Sequence, residues 1–371
     1  ILANTLSAVI DVTVLPDALL EGDETVIVTL TGVSAGDADI TLGAANSDTV
    51  TIADQGTAEV TITASDPEAA EPSDHGQFTV AISTDSASDT VISYTVTGDA
   101  AAGDDYVTLP RSVTILANQL TAVVDVTVTD DLVLEDSEAV TVTLTGITSG
   151  EAGITVGAAD SDTVTISDDD LAQVTIAAND PNAAEPADHG QFTVSIDRLS
   201  DTDTTISYTV SGDATSGVDY TALTGSVTIL ANTASAVIDL SVIDDALQED
   251  DETVTVTLTG IAAGDADITV GAANSDTVTI GDDDVAQVSV VANDPAAAEP
   301  DNHGQFTVSL SLLSDSDTVI SYAVSGDAAA GDDYTPLSGS VTILANTLSA
   351  VIDVTVLPDA LLEGDETVIV T

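Results

Sequence analysis

The sequence predicts an all-β protein built of tandem immunoglobulin-like Greek-key β-sandwiches, about 114 residues per repeat, arranged as a rod. Three observations predict this. The string His-Gly-Gln-Phe-Thr-Val begins at His75, His189 and His303, and both 189 − 75 and 303 − 189 are 114. Apolar and polar residues alternate with period two in several short stretches per repeat, and no window keeps a helical period. Aromatics are 2% of the chain, so the cores must be made of Val, Ile, Leu, Ala and Thr, a composition that suits strands.

The elements follow in order through the repeat spanning 57–170. Residues 58–63 alternate and run into the turn-rich Ser65-Asp66-Pro67. Alternation resumes at 78–82, 91–96, 112–116, 122–128, 139–144 and 163–166, with Gly, Asp, Asn and Pro between the runs. Seven or so short strands in roughly 100 residues point to an immunoglobulin-like sandwich. The same order gives four segments: the C-terminal part of a repeat at 1–56, complete repeats at 57–170 and 171–284, and the N-terminal part of the next at 285–371. Residues 1–29 are identical to 343–371, an offset of 342 or three periods, which suggests a three-repeat unit copied along a longer parent. Exchange of strands between subunits is disfavoured, because 343–371 would compete with 1–29 for the same places. Asp168-Asp169-Asp170 closes one repeat and residues 173–176 already begin the next strand, so little flexible linker remains, and a rod is expected.

Charge narrows the function classes. Sixty-five acidic residues face two arginines, Arg111 and Arg198, and no lysine, for a formal net charge of −63. Nucleic acid is excluded as a partner by want of basic groups, and anionic lipid is disfavoured. Hydrophobic residues make up 43% of the chain, too many for a disordered acidic tail. No apolar run approaches the ~20 residues that would cross a bilayer as a helix, so membrane insertion is not expected. Without cysteine there is no disulfide framework, and the redox compartment is not readable.

The acidic residues fall at fixed places in each repeat. They precede a proline (Glu71-Pro72), precede a tyrosine (Asp104-Asp105-Tyr106), occupy a loop (Asp130, Asp131, Glu135, Glu138) and end the repeat (Asp168, Asp169, Asp170). All four places are strand ends or loops in a sandwich. If they meet at one pole, each like-charged pair ~4 Å apart costs about 4 kcal/mol at an effective dielectric of 20. Such a cluster demands cations or proton uptake. Calcium suits an all-oxygen site that includes carboxylates and carbonyls; zinc would want nitrogen or sulfur.

The ordered motifs Ala-Glu-Pro, Gly-Asp-Asp-Tyr, Val-Thr-Asp-Asp-x-x-x-Glu-x-x-Glu and Thr-Ile-Ser-Asp-Asp-Asp resemble the Calx-beta family, found in sodium–calcium exchangers and large bacterial surface proteins. The resemblance implies a seven-stranded immunoglobulin-like sandwich with Ca2+ at one pole. It implies as ligands Glu71, Asp105, Asp130, Asp131, Glu135, Glu138, Asp168, Asp169 and Asp170, with the Val133 carbonyl, in the first complete repeat. In the second it implies Glu185, Asp219, Asp244, Asp245, Glu249, Glu252, Asp282, Asp283 and Asp284, with the Leu247 carbonyl. In the trailing copy it implies Glu299, Asp333, Asp359, Glu363 and Glu366, and in the leading copy Asp17, Glu21, Glu24 and Asp54. These last two depart from the motif. Pro16 and Pro358 replace the first aspartate of the loop pair, and Asp54-Gln55-Gly56 replaces the aspartate triple, so fewer or weaker ions are expected there.

An acidic, lysine-free surface adapted to high salt is a competing explanation, although clustering at equivalent loops argues for sites, and both readings stay open. His75, His189 and His303 are expected to serve turns and strand edges, and the tyrosines of the Asp-Tyr motif to pack at the pole. No activated nucleophile or EF-hand loop is present, so an enzyme is not expected. The expected role is structural: a calcium-binding segment of an extracellular or cell-surface filament, stalk or matrix protein. Its partners would be neighbouring repeats of a longer chain, with lateral or head-to-tail self-assembly. The alternative is the repeat region of a bacterial adhesin that binds a ligand.

Overall fold

A computed structural model describes residues 1–358, 360 and 364–371. By packing, the chain divides into two compact units, Ile1–Asp170 and Leu171–Thr371.

In the first unit, one sheet of the repeat at 57–170 orders its strands as Ile154–Val156, Ala58–Asp66, Gly76–Ile82 and Thr121–Val126. The other orders Glu68–Ala70, Ser161–Ser167, Glu138–Ser149, Thr90–Thr97 and Ser112–Ile115. The strand Gly76–Ile82 alternates buried and partly buried positions throughout, as one face turned to a core requires. That core joins both sheets: Val60, Phe78, Val80 and Val126 from the first pack in one cluster with Ile92, Val140, Val142 and Val164 from the second. Outward-facing hydroxyls pair across strands, Thr141 with Thr163 and Thr143 with Ser161, each at 2.8 Å.

The two long antiparallel systems match the sequence expectation. Two short parallel pairings escape it. Glu68–Ala70 pairs with the end of Ser161–Ser167, and Ile154–Val156 pairs with the start of Ala58–Asp66. Runs of three residues are too short to show a period. Their effect is to lay the residue before Glu71 beside Ser167, so the Glu71 N–H donates to the Ser167 carbonyl at 3.0 Å. The start of the Asp168 run is thereby fixed next to Glu71.

The second unit repeats this plan at 171–284, with sheets ordered Ser235–Leu240, Gly190–Ile196, Ala172–Asp180, Ile268–Val270 and Asn182–Ala184, Ser275–Gly281, Glu252–Ala263, Thr204–Ser211, Ser226–Ile229. Residues 285–371 build the three-stranded sheet Val288–Asp294, Gly304–Leu310, Ser349–Val354 and smaller pairs over a lesser core around Val308, Leu310, Ile343, Ile352 and Val370. Residues 1–56 supply the hairpin of Glu24–Thr29 with Ser47–Ile52.

One glycine is dictated by a close approach beside the acidic pole. Gly98 has φ 134°, and a Cβ there would sit 1.8 Å from the Ala139 carbonyl oxygen. Gly212 and Gly326 hold the same place with φ 134° and 125°.

Candidate metal centre

The acidic pole is assembled from chain segments far apart in sequence. In the first complete repeat, Glu71 leaves the short strand Glu68–Ala70, Asp105 lies between Thr90–Thr97 and Ser112–Ile115, and Asp130 to Glu135 follow Thr121–Val126. Glu138 opens Glu138–Ser149, and Asp168 to Asp170 follow Ser161–Ser167. Two triads result, each with one carboxylate oxygen per residue within 4.8 Å of the others: Glu71, Asp130 and Asp169, and Asp105, Glu135 and Glu138. The second repeat has three triads: Glu185, Asp282 and Asp284; Glu185, Asp244 and Asp283; Asp219, Glu249 and Glu252.

Burial distinguishes neighbours that the sequence leaves alike. Asp105 is 5% exposed, whereas Asp104 beside it is open to solvent. Asp105 is held from within its own loop, where the Ala101 N–H donates to its carboxylate. Thr215 N–H and Asp219 repeat that bond. Tyr106 and Tyr220, next in sequence to these aspartates, are 4% and 5% exposed, and Tyr106 belongs to the core of its repeat. His75 accepts the Val128 N–H at Nδ1 at 3.1 Å, as His189 does from Val242, a strand-edge role.

The aspartate triple has two kinds of member. Asp168 is a clamp: its Oδ2 accepts the Glu135 N–H at 3.3 Å and its Oδ1 accepts the Asp170 N–H at 3.2 Å. Asp282 does the same for Glu249 and Asp284, both at 3.1 Å. The leading copy keeps the clamp, with Asp54 accepting N–H groups from Glu21 at 3.1 Å and Gly56 at 3.0 Å. The loop has a clamp too. Val133 N–H donates to Asp131 at 2.7 Å, Leu247 N–H to Asp245 at 2.7 Å, and Asp131 N–H reaches Glu71 at 3.4 Å.

The electrostatics are those of crowded anions. Burial pushes the Glu71 carboxyl up to about 7, helped by the charges of Asp131, Asp168 and Asp130 against an opposing hydrogen bond from the Asp131 N–H. Glu249 is likewise pushed up to about 7 by burial and by Asp219, Asp245, Asp315 and Glu185. Glu138 and Glu252 rise through burial and through sharing hydrogen bonds and charge with Asp105 and Asp219. Glu185 rises through burial and the charges of Asp245, Asp282 and Asp244, against a hydrogen bond from the Asp245 N–H, and Asp284 rises through burial and the charges of Asp282, Asp283, Asp245 and Asp244. By contrast, Asp54 is held low by its N–H donors from Gly56 and Glu21.

The donor set fits a hard cation. Every group is a carboxylate, and two of the oxygens turned away from solvent, Glu185 Oε2 and Asp284 Oδ2, have no hydrogen-bond partner among the described residues. A buried anionic oxygen without a donor is costly unless a cation meets it. The outer copies differ. Among the described residues neither holds such a triad. Glu299 and Glu366 are exposed, Asp333 is held by the Ala329 N–H at 2.6 Å, and Asp359 and Glu363 lie outside the described residues. Asp17 caps the Leu19 N–H at 3.2 Å, and Glu21 is raised by burial and by Glu24, Asp17, Asp54 and Glu151.

Tandem β-sandwich domains, each complete one carrying a carboxylate-lined pole, are the class that fold and site define. The Calx-beta domain model matches residues 4–56, 56–170, 172–284 and 282–371, so the chain belongs to the Calx-beta domain family. Among solved structures, CBD12 from CALX1.2 is 16% identical and aligns over 59% of this chain and 99% of its own, with a TM-score of 0.27. The apo-form Calx CBD1 domain is 20% identical over 30% of this chain and 99% of its own, with a TM-score of 0.26. A two-domain protein from Bacteroides fragilis NCTC 9343 is 8% identical over 61% and 93%, with a TM-score of 0.25. No curated protein sequence matches the chain.

Proposed function

We propose that this chain is a structural, calcium-binding segment of an extracellular filament, stalk or matrix protein, with Ca2+ held at the pole of each complete repeat. The observation that carries the reading is the pair of buried oxygens without a hydrogen-bond partner among the described residues, Glu185 Oε2 and Asp284 Oδ2, on two residues that form a carboxylate triad with Asp282. In the first complete repeat, Glu71, Asp130 and Asp169 would hold one ion and Asp105, Glu135 and Glu138 another. Bound calcium would supply charge neutralisation; the chain supplies N–H clamps that place the carboxylates beforehand. Millimolar calcium outside cells would keep even weak sites filled.

The pole also touches the neighbouring repeat, which supports a role in stiffening. The ligand loop of the second repeat pairs Leu247–Gln248 in parallel with Leu313–Ser314 of the third. The charge of Asp315 reaches Glu249. Ordering that loop by an ion would order the junction with it. The partners of the chain are then further repeats of its own kind, and no nucleic acid, membrane insertion or catalysis is part of this function.

Calorimetric titration of the metal-free chain with calcium and magnesium tests the reading, together with electron microscopy of the native material before and after chelation. Saturable, calcium-preferring binding and fibres that soften on chelation are expected. Absence of saturable binding overturns it.

A further inference from the structure

We propose that Leu20 anchors its loop in the hydrophobic core of the following repeat, and that the polar residue Gln248 at the equivalent place makes its own junction the weaker of the two. The contact is visible in the first unit. Leu20, in the loop before Glu21, is 1% exposed and lies in the same core cluster as Ala58, Val60 and Phe78 of the following repeat. Its backbone is bound there as well. The Leu20 N–H donates to the Asp85 carbonyl at 3.1 Å, and the Leu20 carbonyl accepts the Ala87 N–H at 2.8 Å. The receiving turn is built around buried Ser86, whose carbonyl accepts the Asn118 N–H at 2.8 Å.

The second unit contains the equivalent contact with a different residue. Position 248 corresponds to position 20 after two periods, and it is glutamine. Gln248 faces Ser314, the counterpart of Ser86, through the same parallel pairing. The receiving turn is unchanged: Ser314 is buried and its carbonyl accepts the Asn346 N–H at 2.8 Å. The occupant is less well seated. Gln248 is only half-buried, and its carbonyl accepts the Asp315 N–H at 3.3 Å rather than the 2.8 Å found at Leu20. Its amide turns to polar partners, Nε2 donating to the Glu249 carbonyl at 3.0 Å and Oε1 accepting from Ser314 Oγ at 3.4 Å.

The backbone pairing is therefore common to both junctions, and the apolar anchor is not. Positions 20, 134, 248 and 362 read Leu, Leu, Gln, Leu. A buried leucine stabilises a contact by an amount that a half-exposed glutamine does not, so opening of the glutamine junction should be favoured roughly tenfold or more.

Hydrogen–deuterium exchange on the full chain tests this, in calcium and in chelator, comparing parent, Gln248→Leu and Leu20→Gln. Gln248→Leu should slow exchange of the amides over 312–318 by roughly tenfold. Leu20→Gln should speed exchange over 84–90 by a similar factor. Both changes should persist in chelator, because the anchor needs no metal, and this separates the inference from the calcium reading. Gln248→Leu is a gain of protection, so it remains decisive even where Leu20→Gln unfolds its repeat. Unchanged exchange over 312–318 in Gln248→Leu overturns the proposal.

Discussion

The poles of the two complete repeats and the pole of the leading copy share a scaffold and differ in charge. Asp54, Asp168 and Asp282 make the same pair of backbone hydrogen bonds, at 3.0 to 3.3 Å. The next two residues separate them: Gln55-Gly56 in one case, two more aspartates in the others. In the leading copy the clamped carboxylate is stabilised by its donors and held low. In the complete repeats the added carboxylates enter the triads of Glu71 and Glu185, while those of Asp105 and Asp219 form without them; burial and neighbouring charges push Glu71 and Glu249 up to about 7. The clamp is common to all three copies, and in the second repeat the clamping Asp282 also belongs to the triad of Glu185 and Asp284, so the proposed ion site is built partly on the clamp.

The largest effect expected from this contrast is on melting. At a hundredfold excess over its dissociation constant, an ion bound only by the folded form stabilises it by about 2.7 kcal/mol per site. For a domain of this size that is on the order of 10 °C. Scanning calorimetry of the full chain should show two transitions that rise with calcium. A transition from the leading copy should move less. Uniform movement of all transitions would break the distinction drawn between the copies.

Next in size is a change of sign. Glu185→Gln removes a ligand and also a buried charge. In saturating calcium it should lower the stability of the second repeat by about 1–3 kcal/mol, the usual cost of losing a buried charged partner. In chelator it should be neutral or stabilising, because an amide needs no counter-ion and can donate to a neighbouring carboxylate. Denaturant melts in the two conditions check this. Destabilisation of equal size in both would mean that Glu185 has an ordinary structural role.

Much of this contrast can be read in the sequence, and the reasons it is incomplete are physical. The 114-residue period, the long strands and the acidic positions are visible because each is a local pattern repeated. The clamp is not visible, because Asp168, Asp169 and Asp170 are chemically identical and only backbone geometry tells which one receives N–H groups. Asp104 and Asp105 are a similar case: adjacent in sequence, one is exposed and the other is buried with its carboxylate bound by the Ala101 N–H. The role of Leu20 is hidden for another reason. A leucine in an acidic loop looks exposed until the next repeat is placed against it, and a boundary drawn at 56/57 cuts it off from its own core.

Acidity supplies a third handle. The ordinary value of a glutamate carboxyl is 4.5, and Glu71 and Glu249 stand near 7 in the folded chain. The folded form therefore holds more protons than the unfolded form between these values, and stability falls as pH rises across that window. Metal-free protein should melt highest near pH 4.5 and progressively lower up to pH 7 and a little above, where Glu138 and Glu252 also lose their protons. With calcium the slope should reverse, since ion binding needs deprotonated ligands. A metal-free melting curve that is flat across that window would contradict the crowding of the poles.

The smallest effect expected is the most specific. If the clamp is a platform and the site an addition, the addition can be transplanted. Pro16→Asp, Gln55→Asp and Gly56→Asp together give the leading copy the counterparts of Asp130, Asp169 and Asp170, but not of Glu71 or Asp105. Gly56 is the demanding position: a Cβ there would meet Asp54 Oδ2 at 3.1 Å and Leu20 Cγ at 3.3 Å, so the carboxylate and the leucine must each yield by a few tenths of an ångström. Its backbone lies outside the left-handed region, so the substitution carries no conformational strain. The triple variant should bind additional calcium only weakly, because it lacks counterparts of Glu71 and Asp105 and because Leu20 is disturbed, and a titration that counts ions per chain would detect it. An unchanged count with the fold intact would show that the platform needs more than these three carboxylates.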